Sequence, residues 1–170
     1  MNTTNNNENN YKISDILEGY VKLNLDDTFK FHCTECGKCC KHRNDILLTA
    51  RDVYNMSKEL NISITGLISE YCDVYLGQDS RIPIVRILPR GNVERCPFLK
   101  SNKCLVHKAK PTICAMFPVG RCLLLEEIKT QYILSKIECG DDSKTYTLRE
   151  WLRLFKNNIK MIEKILKGFD

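Results

Sequence analysis

The chain has 170 residues, 26 lysines and arginines against 21 aspartates and glutamates (formal charge +5), 43% hydrophobic residues and ten cysteines. That length and apolar content suit one globular domain, and no stretch approaches the roughly 18 uncharged apolar residues of a membrane span. The Asn-rich start, Met1 to Asn10, lacks the apolar region of a secretory signal, so a cytoplasmic location with reduced thiols is expected.

Residues 1–12 have almost nothing to bury and read as a disordered tail, leaving 13–170 as a single domain. Tyr20 to Leu25 alternates, with Val21, Leu23 and Leu25 on one side, and Phe29 and Phe31 alternate just beyond; both read as short strands. The run Phe31-His32-Cys33-Thr34-Glu35-Cys36-Gly37-Lys38-Cys39-Cys40 follows. Thr49 with Asp52 three residues on is close to a capping box, and Leu48 and Val53 hold the staple positions. A helix over 50–60 is expected, with Val53, Met56 and Leu60 inward. Ser63 starts a second over 64–72. Ile82 to Leu88 reads as a short strand, placed at a sheet edge by Pro83 and Pro89. From Arg90 to Pro118 turn formers and cysteines dominate, and irregular loops around metal are expected. Thr147 and Glu150 form another capping box ahead of an amphipathic C-terminal helix. Leu148, Trp151, Leu152, Phe155, Ile159, Ile162 and Leu166 lie on one face, Gly168 caps it, and lysines and arginines cover the other. The fold class expected is α+β, small and irregular, organised around cysteine-bound metal.

The cysteines carry the functional argument. Cys33, Cys36 and Cys39 stand at C-x2-C-x2-C spacing with Cys40 abutting the third, and Cys96, Cys104, Cys114 and Cys139 follow. Thiolates this close together in a reducing compartment point to zinc or an iron–sulfur cluster rather than disulfides. The first three match the start of a ferredoxin run, but its fourth position is replaced by Cys40. Neighbouring side chains usually aim apart, so the vicinal pair favours two centres over one. Eight ligands divide into two quartets in roughly 35 ways, an ambiguity spacing does not resolve. Gly37 permits the turn between ligands.

Iron–sulfur, as [4Fe–4S], is favoured, with zinc as the alternative. Eight thiolates on two [4Fe–4S]2+ cores lower the formal charge to about +1, and two four-cysteine zinc sites give the same value. Nucleic acid is therefore not an expected partner, and neither is a membrane. A protein or redox partner is expected but not identified. Cys72 reads as an inert core thiol. Cys122 competes with Cys139 for the eighth place. His32, His42 and His107 stand beside cysteines and read as hydrogen-bond donors or surface residues, with ligation as the alternative. Asp141 and Asp142 read as a solvated loop.

The order of these motifs resembles the YkgJ-type cysteine-cluster family, described as zinc- or iron-chelating proteins. The resemblance rests on Cys33 to Cys40, Cys96-Pro97-Phe98-Leu99, Cys104 with His107, Lys110-Pro111-Thr112-Ile113-Cys114, Phe117-Pro118 and Cys139-Gly140, and spans roughly residues 29 to 155. This chain departs from the family pattern at His107 (tyrosine there), Lys110 (arginine) and Ala115 (arginine). Lysine keeps a charge at 110 but not the bidentate fork. A longer relative is named flagellin lysine N-methylase, which implies a third reading, a protein-modifying enzyme using S-adenosylmethionine. None of the eight glycines forms a G-x-G, so the Rossmann fingerprint for that cofactor is missing.

Overall fold

A computed structural model describes residues 17–77, 81–124 and 129–155. The Asn-rich tail and the C-terminal helix beyond Phe155, with Ile159, Ile162, Leu166 and its lysine face, lie outside the described residues. Short helices and small antiparallel sheets give the mixed α+β composition expected.

Two apolar cores organise these elements. The first gathers Ile46, Leu48, Val53, Met56, Leu67, Ile87, Phe98 and Val106. Helix α1 (Ala50–Leu60) enters it through the expected cap: Thr49 accepts from the Asp52 N–H, and Asp52 accepts from the Thr49 N–H. Val53 and Met56 are buried and Leu60 packs at the edge. Asn61 in the left-handed region ends the helix, and Ser63 caps α2 (Ile64–Tyr71) through the Gly66 N–H.

The first-core sheet joins β3 (Leu47–Leu48), β4 (Cys72–Leu76) and β5 (Pro83–Ile87) in the order β3-β5-β4. Here β5 is central, not an edge. Pro83 opens the strand and Pro89 lies past its end, so neither removes a ladder donor from within it. Strand β4 begins at the residue that caps α2, and its outward Val74, Tyr75 and Leu76 show no periodic burial that would mark it in sequence.

The second core holds Leu23, Phe29, Phe31, Met116, Val119, Leu148 and Trp151. It is built on β1 (Val21–Leu23), β9 (Lys129–Leu134) and β8 (Val119–Leu124), paired β1-β9-β8, and on β2 (Thr28–His32) paired with β10 (Asp141–Thr147). Strand β2 buries Phe29 and Phe31 as its alternation predicts. In β1 (three residues) only Leu23 is buried; Val21, within the strand, and Leu25, beyond it, are exposed, so the expected one-sided face is not formed. Asp141 and Asp142 begin β10 rather than a loop. A short helix (Leu148–Arg153) carries the predicted Thr147–Glu150 box and buries Leu148 and Trp151. The Trp151 indole N–H donates to the Met116 carbonyl at 2.8 Å, and its ring meets Phe29 edge-on at 5.5 Å.

The stretch from Arg90 to Pro118 is irregular as expected, yet punctuated. A hairpin of β6 (Leu99–Lys100) and β7 (Lys103–Cys104) turns through Ser101 and Asn102, both at positive φ. A single 3-10 turn (His107–Ala109) and helix α3 (Thr112–Met116) follow. No helix among the described residues is long and apolar enough to cross a membrane.

Candidate metal centre

The first cysteine run leaves β2 at its end. Cys33 is exposed, and the chain then tightens through Gly37 (φ 72°) into a 3-10 turn over Lys38–Cys40. A Cβ on Gly37 would stand 2.9 Å from both the Asn102 carbonyl oxygen and Leu99 Cδ1. The glycine is therefore needed twice, for its left-handed backbone and for the close approach that docks this loop on the β6–β7 hairpin. Past Cys40 the chain runs beside residues 93–96: Cys96 N–H donates to the Cys40 carbonyl (2.9 Å) and His42 N–H to that of Val93 (3.0 Å).

Cys114 is set by a buried carboxylate. Asp52, besides capping α1, accepts from the Thr112 N–H (3.0 Å) and hydroxyl (2.8 Å). That fixes the start of α3 against the start of α1, two residues before Cys114. Cys139 is set by β2–β10 pairing, in which Asp141 faces His32. A Cβ on Gly140 (φ 77°) would lie 2.5 Å from the His32 carbonyl oxygen and 2.8 Å from Phe31 Cε2.

The outcome is one cavity of about 100 Å³ between the two cores, and Cys33, Cys36, Cys39, Cys40, Cys96, Cys104, Cys114 and Cys139 all line it. Its apolar walls come from Phe98 and Val106 of the first core and from Phe31, Phe117 and Trp151 at the second. The two cysteines outside the set stay out. Cys72 packs half-buried against the first core, where burial pushes its thiol up to about 11. Cys122 lines a neighbouring cleft of about 590 Å³ with Asp52 and Arg121. Of the histidines only His107 reaches the cavity, its Nε2 3.4 Å from Glu35; His32 Nδ1 stands 3.4 Å from Asp141 outside it.

Backbone donors are aimed at the sulfurs. Cys36 receives N–H groups from Lys38 and Gly140, Cys96 from Phe98, and Cys104 from Val106. Three of these come from the residue two positions on, a geometry that stabilises thiolate over thiol. At Cys36 the Lys38 N–H outweighs burial and lowers the thiol below its ordinary range. At Cys96 and Cys104 burial wins and raises it. Burial likewise pushes Cys114 and Cys139 up to about 12.

The vicinal pair is electrostatically linked. Interaction with the Cys40 thiol holds Cys39 low, and the same interaction together with burial holds Cys40 high. Arg43, absent from the sequence argument, lines the cavity, and its charge bears on Cys39, Cys96 and Cys114. Asp45 holds its guanidinium with bonds of 2.5 and 3.2 Å. Its place beyond the cysteine motif, in Lys41-His42-Arg43, gave no signal. Lys110 also lines the cavity, beside Cys39 and Cys104.

Among the described residues no group of three or more His, Cys, Asp or Glu side chains is arranged to grip a single ion as it stands. The thiols ring a space instead. The residues nonetheless fit a sulfur-ligated metal: soft donors, apolar walls, backbone N–H groups on sulfur and nearby cations.

No curated protein and no solved structure matches this chain. A family model does match, over residues 32–141, which take in all eight cavity cysteines. On that match, joined to the ordered cysteines, the chain belongs to the CxxCxxCC family, whose description is "Putative zinc- or iron-chelating domain".

Proposed function

We propose that the cavity holds iron–sulfur as [4Fe–4S], and that the chain serves in electron transfer or as the cluster-bearing component of an enzyme. The observation that carries this reading is the selection of thiols: eight of ten cysteines line one cavity, and the two without a motif do not. A lone zinc is closed by four ligands at about 2.3 Å from each sulfur. Eight thiols around a cavity of about 100 Å³ exceed what one such ion uses. When bound, a cluster supplies one-electron redox chemistry. The chain's own residues would set its conditions. N–H groups of Lys38, Phe98, Val106 and Gly140 donate to sulfur, Phe31, Phe98 and Phe117 exclude water, and Arg43 and Lys110 offset negative charge.

The test is purification without oxygen, followed by iron, acid-labile sulfide and zinc per chain alongside the visible spectrum. A broad band near ~400 nm and about four to eight irons are expected. Colourless protein carrying about one or two zincs, and unfolding on chelation, would replace the redox role with a structural zinc module that presents a binding surface.

A further inference from the structure

All eight thiols line one cavity, but they approach it from two sides. Cys96 is buried in the first core, and Cys40, Cys104 and Cys114 pack against the same core. Backbone bonds tie three of these positions together. Cys96 N–H reaches the Cys40 carbonyl, Leu99 N–H reaches the Cys96 carbonyl at 3.1 Å, and Leu99 faces Cys104 across the β6–β7 hairpin. Cys114 is placed on that side by Asp52 of α1.

Cys33, Cys36 and Cys139 belong to the other side. Cys33 follows the last residue of β2, and Cys139 precedes Gly140, whose backbone lies against His32 and Phe31. Gly140 N–H donates to Cys36, joining the first loop to the Cys139 turn. Cys39 completes the C-x2-C-x2-C loop that Cys33 and Cys36 begin, so it closes this group.

We propose that the thiols divide into two four-cysteine sets, Cys33, Cys36, Cys39 and Cys139 in one and Cys40, Cys96, Cys104 and Cys114 in the other, each binding its own metal centre. The vicinal pair is split between the centres. Because Cys39 and Cys40 are consecutive residues of one turn, the two centres are neighbours. One four-ligand centre would leave four thiols of the same cavity without a metal, and a set mixing Cys139 with Cys114 would draw ligands from both cores. The assignment rests on the metal-binding reading above but not on which metal is bound.

The experiment counts metal in the full-length, anaerobically purified chain and in serine variants, with the absorption spectrum of what remains. Cys139→Ser should lose about half the metal, and Cys36→Ser with Cys139→Ser should lose no more than that. Cys36→Ser combined with Cys114→Ser should lose all of it. Cys39→Ser should leave the spectrum that Cys139→Ser leaves, and Cys40→Ser the one that Cys114→Ser leaves. Circular dichroism and Trp151 fluorescence establish that each variant is folded. Should the buried-side variants unfold, Cys33→Ser, Cys36→Ser and Cys139→Ser still decide, since all three must spare the same remainder. A folded Cys139→Ser protein stripped of all metal, or Cys39→Ser and Cys40→Ser sparing the same centre, overturns the grouping while leaving metal binding intact. Wild-type protein free of iron, sulfide and zinc overturns both.

Discussion

The first core takes its cysteines in, whereas the second holds them at its margin. Cys96 is buried beside Phe98, and Cys40, Cys104 and Cys114 pack against the same core. Cys33 is exposed, and Cys36 and Cys139 hang from the ends of β2 and β10. The same residue type thus meets two environments. Thiols in the first core displace apolar volume as well as donate sulfur, so losing one disturbs packing. Thiols at the second are held by backbone turns and N–H donors, so their positions depend on conformation more than on burial. If the proposed grouping holds, the centre on the exposed side is the one that an outside electron carrier or chelator would reach first.

Three substitutions sharpen or break this contrast. The largest effect is expected from Phe98→Ala. Phe98 is 2% exposed, stacks on Tyr71 at 4.9 Å and walls the cavity. Its loss should cost about 3–5 kcal/mol in denaturant unfolding and should loosen the centre on the Cys96 side. Equal stability of variant and wild type would deny that this core is packed around its cysteines. Gly140→Ala comes next. It forces a non-glycine residue to φ 77° and a Cβ against the His32 carbonyl, at about 1–3 kcal/mol from backbone strain alone. Metal loss confined to the Cys139 side, read by stoichiometry and spectrum, would sharpen the comparison; loss from both sides would break it. The smallest is Arg149→Ala, which removes an exposed ion pair to Asp26 at 2.9 Å. A change of about 0–1 kcal/mol with unaltered metal content is expected. A larger loss would mean that the second core depends on its surface more than on Phe29, Phe31 and Trp151.

Much of the fold near the motifs was legible. The 50–60 helix declared itself because its cap, staple and apolar spacing agree, and Thr49 and Asp52 bond as their spacing predicts. Phe29 and Phe31 alternate because one face of β2 is buried. By contrast β10 is exposed along Asp141 to Thr145 and is held by backbone pairing to β2, so its side chains carry no period. The central place of β5 depends on partners from 47–48 and 72–76, which no local pattern names. Asp52 read as a capping residue. That it also reaches Thr112, sixty positions on, is a tertiary fact.

What the sequence determined by itself is chemistry. Sulfur donors at short, ordered spacing point to a metal site, because thiolates on turning backbone are donors that zinc and iron–sulfur centres favour, and the order of motifs specifies the family. What only the tertiary structure decided is company. Spacing leaves eight cysteines equivalent and lets Cys122 compete with Cys139. The fold sends Cys122 to another cleft, brings Cys139 to Cys39, and places Arg43 against the sulfurs. The reason is that ligand grouping depends on which backbone segments pair and which cores bury them, and those contacts join residues far apart in the chain.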